Sequence, residues 1–176
     1  MIILITGATH TGKTLLAQRL LEKIHAPYLS IDHLKMGLIR SGMTHLTAQD
    51  DDALTPYLWA IVREMVKTAI ENQQNLIVEG AYIPFSFRQD FDEFYLRDIR
   101  FICLAMTDKF IDTHWHKIKQ HACDIEQRLE IACDIKQLKE YNHQYIQGFS
   151  KENIVLIDEH YQQTIDAVVE KIVQAA

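Results

Sequence analysis

The chain has 176 residues, 48% hydrophobic and 24% charged, with a formal net charge of −6. That length suits one domain over residues 1–176 with a sizeable core. The acidic balance argues against broad attraction to nucleic acid, and no apolar stretch approaches the ~20 residues needed to span a bilayer.

The opening run Met1-Ile-Ile-Leu-Ile-Thr6 has the apolar, β-branched character of a buried parallel strand. It is too short for a signal peptide and lacks a basic n-region, so a cytoplasmic location is expected. Next comes Gly7-Ala-Thr-His-Thr-Gly-Lys-Thr14, which fits G-x-x-x-x-G-K-[ST], the phosphate-cradling P-loop. Gly7 and Gly12 allow positive φ and close approach to an anion. The intervening amides and a following helix N-terminus supply partial positive charge. Gly7, Ala8, Thr9, His10, Thr11, Gly12, Lys13, Thr14 and Leu15 are therefore the expected nucleotide-binding set. Lys13 would reach the β- and γ-phosphates, and the Thr14 hydroxyl would ligate Mg²⁺.

Leu16, Leu20 and Ile24 continue at helical spacing, widened by Leu15 and Leu21. Pro27 closes that helix, and Tyr28 to Ile31 reads as a second strand ending at Asp32. A short helix over His33 to Arg40 stops at Ser41-Gly42. Residues 43–53 lack periodicity, and Asp50-Asp51-Asp52 reads as a solvated acidic lead or a metal-binding run. Thr55 as N-cap with Pro56 at the first helical position announces the next helix. Its apolar face runs from Leu58 to Ile70, and Asn72 to Asn75 ends it. Leu76 to Gly80 is a third buried strand, residues 81–98 hold a turn and a short helix, and Ile99 to Ala105 is the fourth strand. A mostly helical region over 108–147 ends at Gly148. Asn153 to Ile157 is the fifth strand, and 161–174 a closing amphipathic helix. Strands alternating with helices imply a three-layer α/β/α sandwich with a five-stranded parallel sheet.

Ligands in such a sheet bind beyond the carboxyl ends of the strands, where the loop, Asp32 and Glu79 all arrive. Asp32 can act as general base toward an attacking hydroxyl, hold Mg²⁺ through a water, or simply cap the helix that follows it. Glu79 can organise Mg²⁺ opposite Thr14 or contact an acceptor. Arg40 and Arg88, with Lys35 and Arg63 behind them, are candidate grips for an anionic acceptor. Lys109, His114, His116, Lys117, Lys119, His121 and Arg128 make a basic segment suited to closing over transferring phosphate, or a plain solvated face. The three histidines lack an HExxH-type partner, which disfavours a metal site. Cys103, Cys123 and Cys133 show neither CxxC spacing nor a disulfide framework.

In Gly7–Thr14, in Ser30-Ile-Asp32-His-Leu34 and in Leu76–Gly80, the chain resembles the small P-loop kinases of the nucleoside-monophosphate-kinase-like group. That group includes adenylate, shikimate and gluconate kinases, chloramphenicol phosphotransferase and the zeta toxins. The resemblance implies a sheet in the order 2-3-1-4-5 and a helical lid at about 108–128. It also implies ATP and Mg²⁺ as cofactors, with Lys13, Asp32 and a lid cation as catalytic residues. Where many members carry paired lid arginines, this chain reads Lys109 to Lys117 without one, and its first lid arginine is Arg128. The resulting expectation is an ATP-dependent phosphotransferase acting on a small-molecule hydroxyl, with Asp32, Arg40, Glu79 and Arg88 around the acceptor. Alternatives are a kinase for a phosphorylated acceptor such as a nucleotide, and a non-catalytic, toxin-like or regulatory ATP-binding protein. Oligomeric state stays open.

Overall fold

The computed structural model describes residues 1–121 and 134–175. Cys123, Arg128, Cys133 and the second part of the expected lid lie outside the described residues. Five strands, β1 (Ile2–Gly7), β2 (Tyr28–Ser30), β3 (Leu76–Glu79), β4 (Ile99–Met106) and β5 (Ile154–Ile157), form one parallel sheet. Their order is β2-β3-β1-β4-β5, the order expected from the sequence resemblance. The crossovers are α1 (Lys13–Ile24), α2 (Ile31–Arg40) and α3 (Asp51–Glu71), then α4 (Glu93–Leu96), α5 (Asp108–His121) and α6 (Ile135–Gly148); α7 (Tyr161–Val173) closes the chain.

β1 occupies the centre, and all of its residues are buried. Alternation along it explains the two cores. Ile2 and Leu4 face Leu58, Val62 and Val66 of α3, whereas Ile3 and Ile5 face Leu16 and Leu20 of α1 and Ile165 and Val169 of α7. A strand covered on both sides must be apolar throughout, hence the unbroken Ile-Ile-Leu-Ile run. Each such side chain contributes about 1.5–3 kcal/mol on burial. The register sets Ser30 beside Glu79, Glu79 beside Ile5, and Gly7 beside Leu104. The strand ends thus share one edge.

Two helix starts differ from the sequence expectation. α2 begins at Ile31 because Ser30 caps it, its hydroxyl accepting from the His33 amide at 3.4 Å. Asp32 therefore lies in the first turn, where a carboxylate suits the helix dipole, and is not the cap. α3 begins at Asp51, not beyond Thr55, and Pro56 sits inside the helix. Asp51 and Asp52 in the first turn favour that earlier start. Asp50 precedes it and accepts from the Thr47 amide and hydroxyl, each at 2.7 Å.

Between β4 and α6 one buried amide bridges the layers. Asn142 is fully buried; its Oδ1 accepts from the Met106 amide at 2.7 Å, and its Nδ2 donates to the Leu138 carbonyl at 2.7 Å. Asn142→Ala leaves the Met106 donor buried and unmet, a loss of about 1–3 kcal/mol. The denaturation midpoint should fall accordingly; an unchanged midpoint would show that this bridge contributes nothing.

Candidate nucleotide and acceptor site

The Gly7–Thr14 loop leaves β1 through two backbone conformations that suit glycine. Gly7 has φ 144°, and a Cβ there would stand 2.1 Å from the Leu104 carbonyl oxygen. Gly12 has φ 88° and ψ 24°, directly before α1. His10, at φ 62°, also takes the left-handed region. The chain folds back on itself here: the Thr11 hydroxyl donates to the Ala8 carbonyl at 2.8 Å, and Lys13 Nζ donates to the same oxygen at 2.9 Å. α1 has no side-chain cap, and the Leu16 amide is bonded to the Gly12 carbonyl at 2.9 Å. The amides ahead of Leu16 point along the axis toward the loop, the geometry of an anion cradle.

Tyr161, at the start of α7, supports this loop from below. A Cβ on Gly12 would lie 1.8 Å from its hydroxyl. Burial pushes the Tyr161 phenol up, opposed by the Arg19 charge. Arg19 in turn pairs with Asp166 of α7. Nothing in the sequence around Tyr161 signals this role, because the contact joins the first helix to the last.

Glu79 ends β3 almost wholly buried and accepts from the Tyr28 hydroxyl at 3.0 Å. Ile77 faces the core that contains α1, while Val78 faces the opposite core. By alternation Glu79 lies on the α1 face, the side on which Lys13 and Thr14 begin their helix. That placement fits a carboxylate sharing a magnesium site with the Thr14 hydroxyl and phosphate oxygens. Tyr82 packs in the other core, so Glu79 and Tyr82 serve different faces of the sheet.

On that other face a chain of polar groups starts at Asp32. Lys35 Nζ lies 3.2 Å from Asp32 Oδ1. It donates to the Tyr82 hydroxyl at 2.6 Å, which donates to Asp51 Oδ1 at 2.7 Å. The Lys35 ammonium also stands 4.9 Å from the Tyr82 ring centre, within cation–π range. Burial, then the Asp51 hydrogen bond, raise the Tyr82 phenol far above its ordinary value and keep it a donor. The Tyr145 hydroxyl donates to the Ala81 carbonyl at 2.9 Å. From sequence, Asp51 reads as part of a solvated acidic lead or a metal-binding run. Tyr82's position just beyond the end of β3 is the signal that marks it for the ligand edge.

The candidate arginines do not join this group. Arg40 is exposed at the far end of α2, about 12 Å along the axis from Asp32. Arg63 pairs with Asp90 at 3.0 Å and Glu64 at 3.2 Å. Arg88 lies with Met1, Ile99 and Arg100, at the amino-terminal edge of the sheet and thus opposite the loop. A pocket that draws on these arginines for an anionic acceptor is therefore not assembled.

The described part of the basic segment, α5, is anchored at its start. Lys109 pairs with Glu159 at 2.6 Å, and that bond raises the ammonium and lowers the carboxyl. His143 meets Asp108 at 2.9 Å, and Lys139 meets Asp112 at 2.7 Å. His114 stacks on Phe110 with centroids 4.4 Å apart. Among the described residues no group of three His, Cys, Asp or Glu could hold a metal ion. Cys103 is buried and its thiol is pushed up to about 12 by burial. It is a core residue.

Compared with models of known families and with curated proteins, the sequence matches none. Solved structures do match. Shikimate kinase from Bacteroides thetaiotaomicron aligns at 14% identity with a TM-score of 0.55, covering 99% of this chain and 97% of that one. A gluconokinase from Sinorhizobium meliloti 1021 aligns at 13% identity and TM-score 0.53, covering 98% and 93%. The Deinococcus radiodurans tunicamycin resistance protein aligns at 14% identity and TM-score 0.57, covering 97% and 94%. The likeness spans the chain and is one of fold.

Gly12→Ala combines left-handed strain with the Tyr161 collision and should cost about 2–4 kcal/mol. Adding Tyr161→Phe removes the nearest colliding atom and should restore part of the thermal stability. If the double variant melts no higher than Gly12→Ala, the Tyr161 prop is disproved.

Proposed function

We propose that this protein is a phosphotransferase that moves the γ-phosphate of ATP, bound with Mg²⁺, onto a hydroxyl of a small molecule. The observation that supports the reading is that the Gly7–Thr14 loop and the α2 turn carrying Asp32 both leave the carboxyl ends of parallel, in-register strands. Solved kinases sharing the fold support it.

In this reading Gly7, Ala8, Thr9, His10, Thr11, Gly12, Lys13, Thr14 and Leu15 bind the triphosphate. Lys13 exchanges the Ala8 carbonyl for phosphate oxygens. Thr14 and Glu79 would hold the metal ion, which would supply charge neutralisation on the phosphates. Asp32 orients the acceptor hydroxyl and takes its proton. Lys35 fixes the Asp32 carboxylate from the side, and Tyr82 holds Lys35 in place. Residues from about 108 to 128 are assigned to a lid over a single domain, and Arg128 is its charge-stabilising cation. The location is read as cytoplasmic; the described residues contain no helix long and apolar enough to cross a membrane.

Lys13→Ala should abolish transfer while leaving the circular-dichroism spectrum unchanged, as followed by coupled release of ADP. Normal turnover in that variant would remove the loop from the chemistry. Asp32→Asn should lower kcat by about 10²–10⁴-fold with a smaller effect on the KM for ATP. A wild-type rate would leave Asp32 as a structural partner of Lys35.

A further inference from the structure

We propose that the amino-terminal half of β4 receives an extended, acidic segment of a partner protein as an added strand. β4 pairs with β1 from Ile99 onward but with β5 only from Cys103. Ile99 to Ile102 therefore have no strand beside them on the β5 side. What precedes β5 is the 3₁₀ turn Lys151–Asn153, whose Asn153 amide bonds back to the Ser150 carbonyl at 2.9 Å. On the other side the Ile2 amide donates to the Asp98 carbonyl at 2.8 Å. Backbone groups alternate sides along a parallel strand, so Arg100 and Ile102 address β1. Ile99 and Phe101 then turn their amides and carbonyls outward. Among the described residues no hydrogen bond meets those outward groups. An unpaired edge of this kind is a template for another strand, here over about 13 Å at ~3.3 Å per residue.

A groove of about 800 Å³ follows this open edge. It is lined from both faces of the sheet. Phe101 stacks on Phe87 in the α3 core with centroids 4.3 Å apart, whereas Ile102, Val168 and Ile172 belong to the α7 core. Both rows of side chains on a docked strand would meet apolar wall. Charge selects the occupant. Arg88, Arg100 and Lys171 reach the groove from the segment after β3, from β4 and from α7. Among the described residues that line it, Glu152 is the only carboxylate. None of the three cations forms an ion pair with a described residue, and Arg100 Nη1 donates to the Arg97 carbonyl at 3.0 Å. A local surplus of positive charge therefore sits in a chain of net charge −6. An arginine that merely guards an edge lies on the edge strand itself; Arg88 and Lys171 do not. A small organic anion would answer the cations but leave the alternating amides and carbonyls unmet. An acidic strand answers both, its backbone supplying affinity and its side chains selectivity.

Fluorescence anisotropy with the full chain tests this using three labelled peptides. One alternates glutamate with valine, one alternates lysine with valine, and the third is the glutamate peptide with every backbone amide N-methylated. The glutamate peptide should bind saturably, at least about tenfold more tightly than either of the others. Arg100→Glu should weaken that binding by about tenfold or more. Lys171→Glu, on a separate element, should do the same, so that a local defect in β4 is not mistaken for lost recognition. Near-UV circular dichroism checks that both variants keep the fold. No saturable binding of the glutamate peptide overturns the inference. So does equal binding of the lysine or N-methylated peptide, or undiminished binding in either folded variant.

Discussion

The contact between Gly7 and the Leu104 carbonyl is the constraint on which the candidate site depends. β1 must stay paired with β4 to its last residue and then turn at once into the loop. A Cβ at Gly7 would sit 2.1 Å from a backbone oxygen, which no rotamer change can relieve. Only a residue without a side chain permits this approach. The turn delivers the chain to Gly12 in the left-handed region, and from there α1 starts with its amides aimed back at the loop. Tyr161 supports the same turn from the last helix, so α1 and α7 meet at the glycine loop.

The sheet divides the chemistry between its two faces. Glu79, one residue beyond Val78, lies on the α1 side, the side on which the Gly7–Thr14 loop enters its helix. Asp32, Lys35, Tyr82 and Asp51 lie on the α2–α3 side, the side assigned to the acceptor in the proposed reading. Strand alternation makes this separation, since consecutive residues of β3 face opposite layers. The two groups of polar side chains are thus held by separate helix layers at a single edge of the sheet.

Much of the fold was legible because the strands are short, apolar and punctuated by glycine, proline and asparagine. The loop motif was legible because its glycines answer a backbone demand visible in the spelling. Strand order came from the family resemblance and agrees with the structure. Helix starts were harder: at α3 the Thr55-Pro56 pair mimics an N-terminus, but Asp51 and Asp52 extend the helix earlier. Within the site, Asp32 and Glu79 were readable as strand-end carboxylates. The Lys35–Tyr82–Asp51 chain was not, since it joins residues from three separate segments. Arg88, a candidate grip because of its guanidinium, stands with Met1, Ile99 and Arg100 at the other end of the sheet.

The central claim is chemical transfer of the γ-phosphate to a hydroxyl. Its most direct test is phosphorus NMR of wild-type protein incubated with Mg-ATP and a fractionated small-molecule extract. The account predicts a new phosphomonoester resonance growing as the γ-phosphate signal declines, with ADP appearing in equal amount. Loss of ATP only into inorganic phosphate, or no loss at all with every fraction, would contradict it.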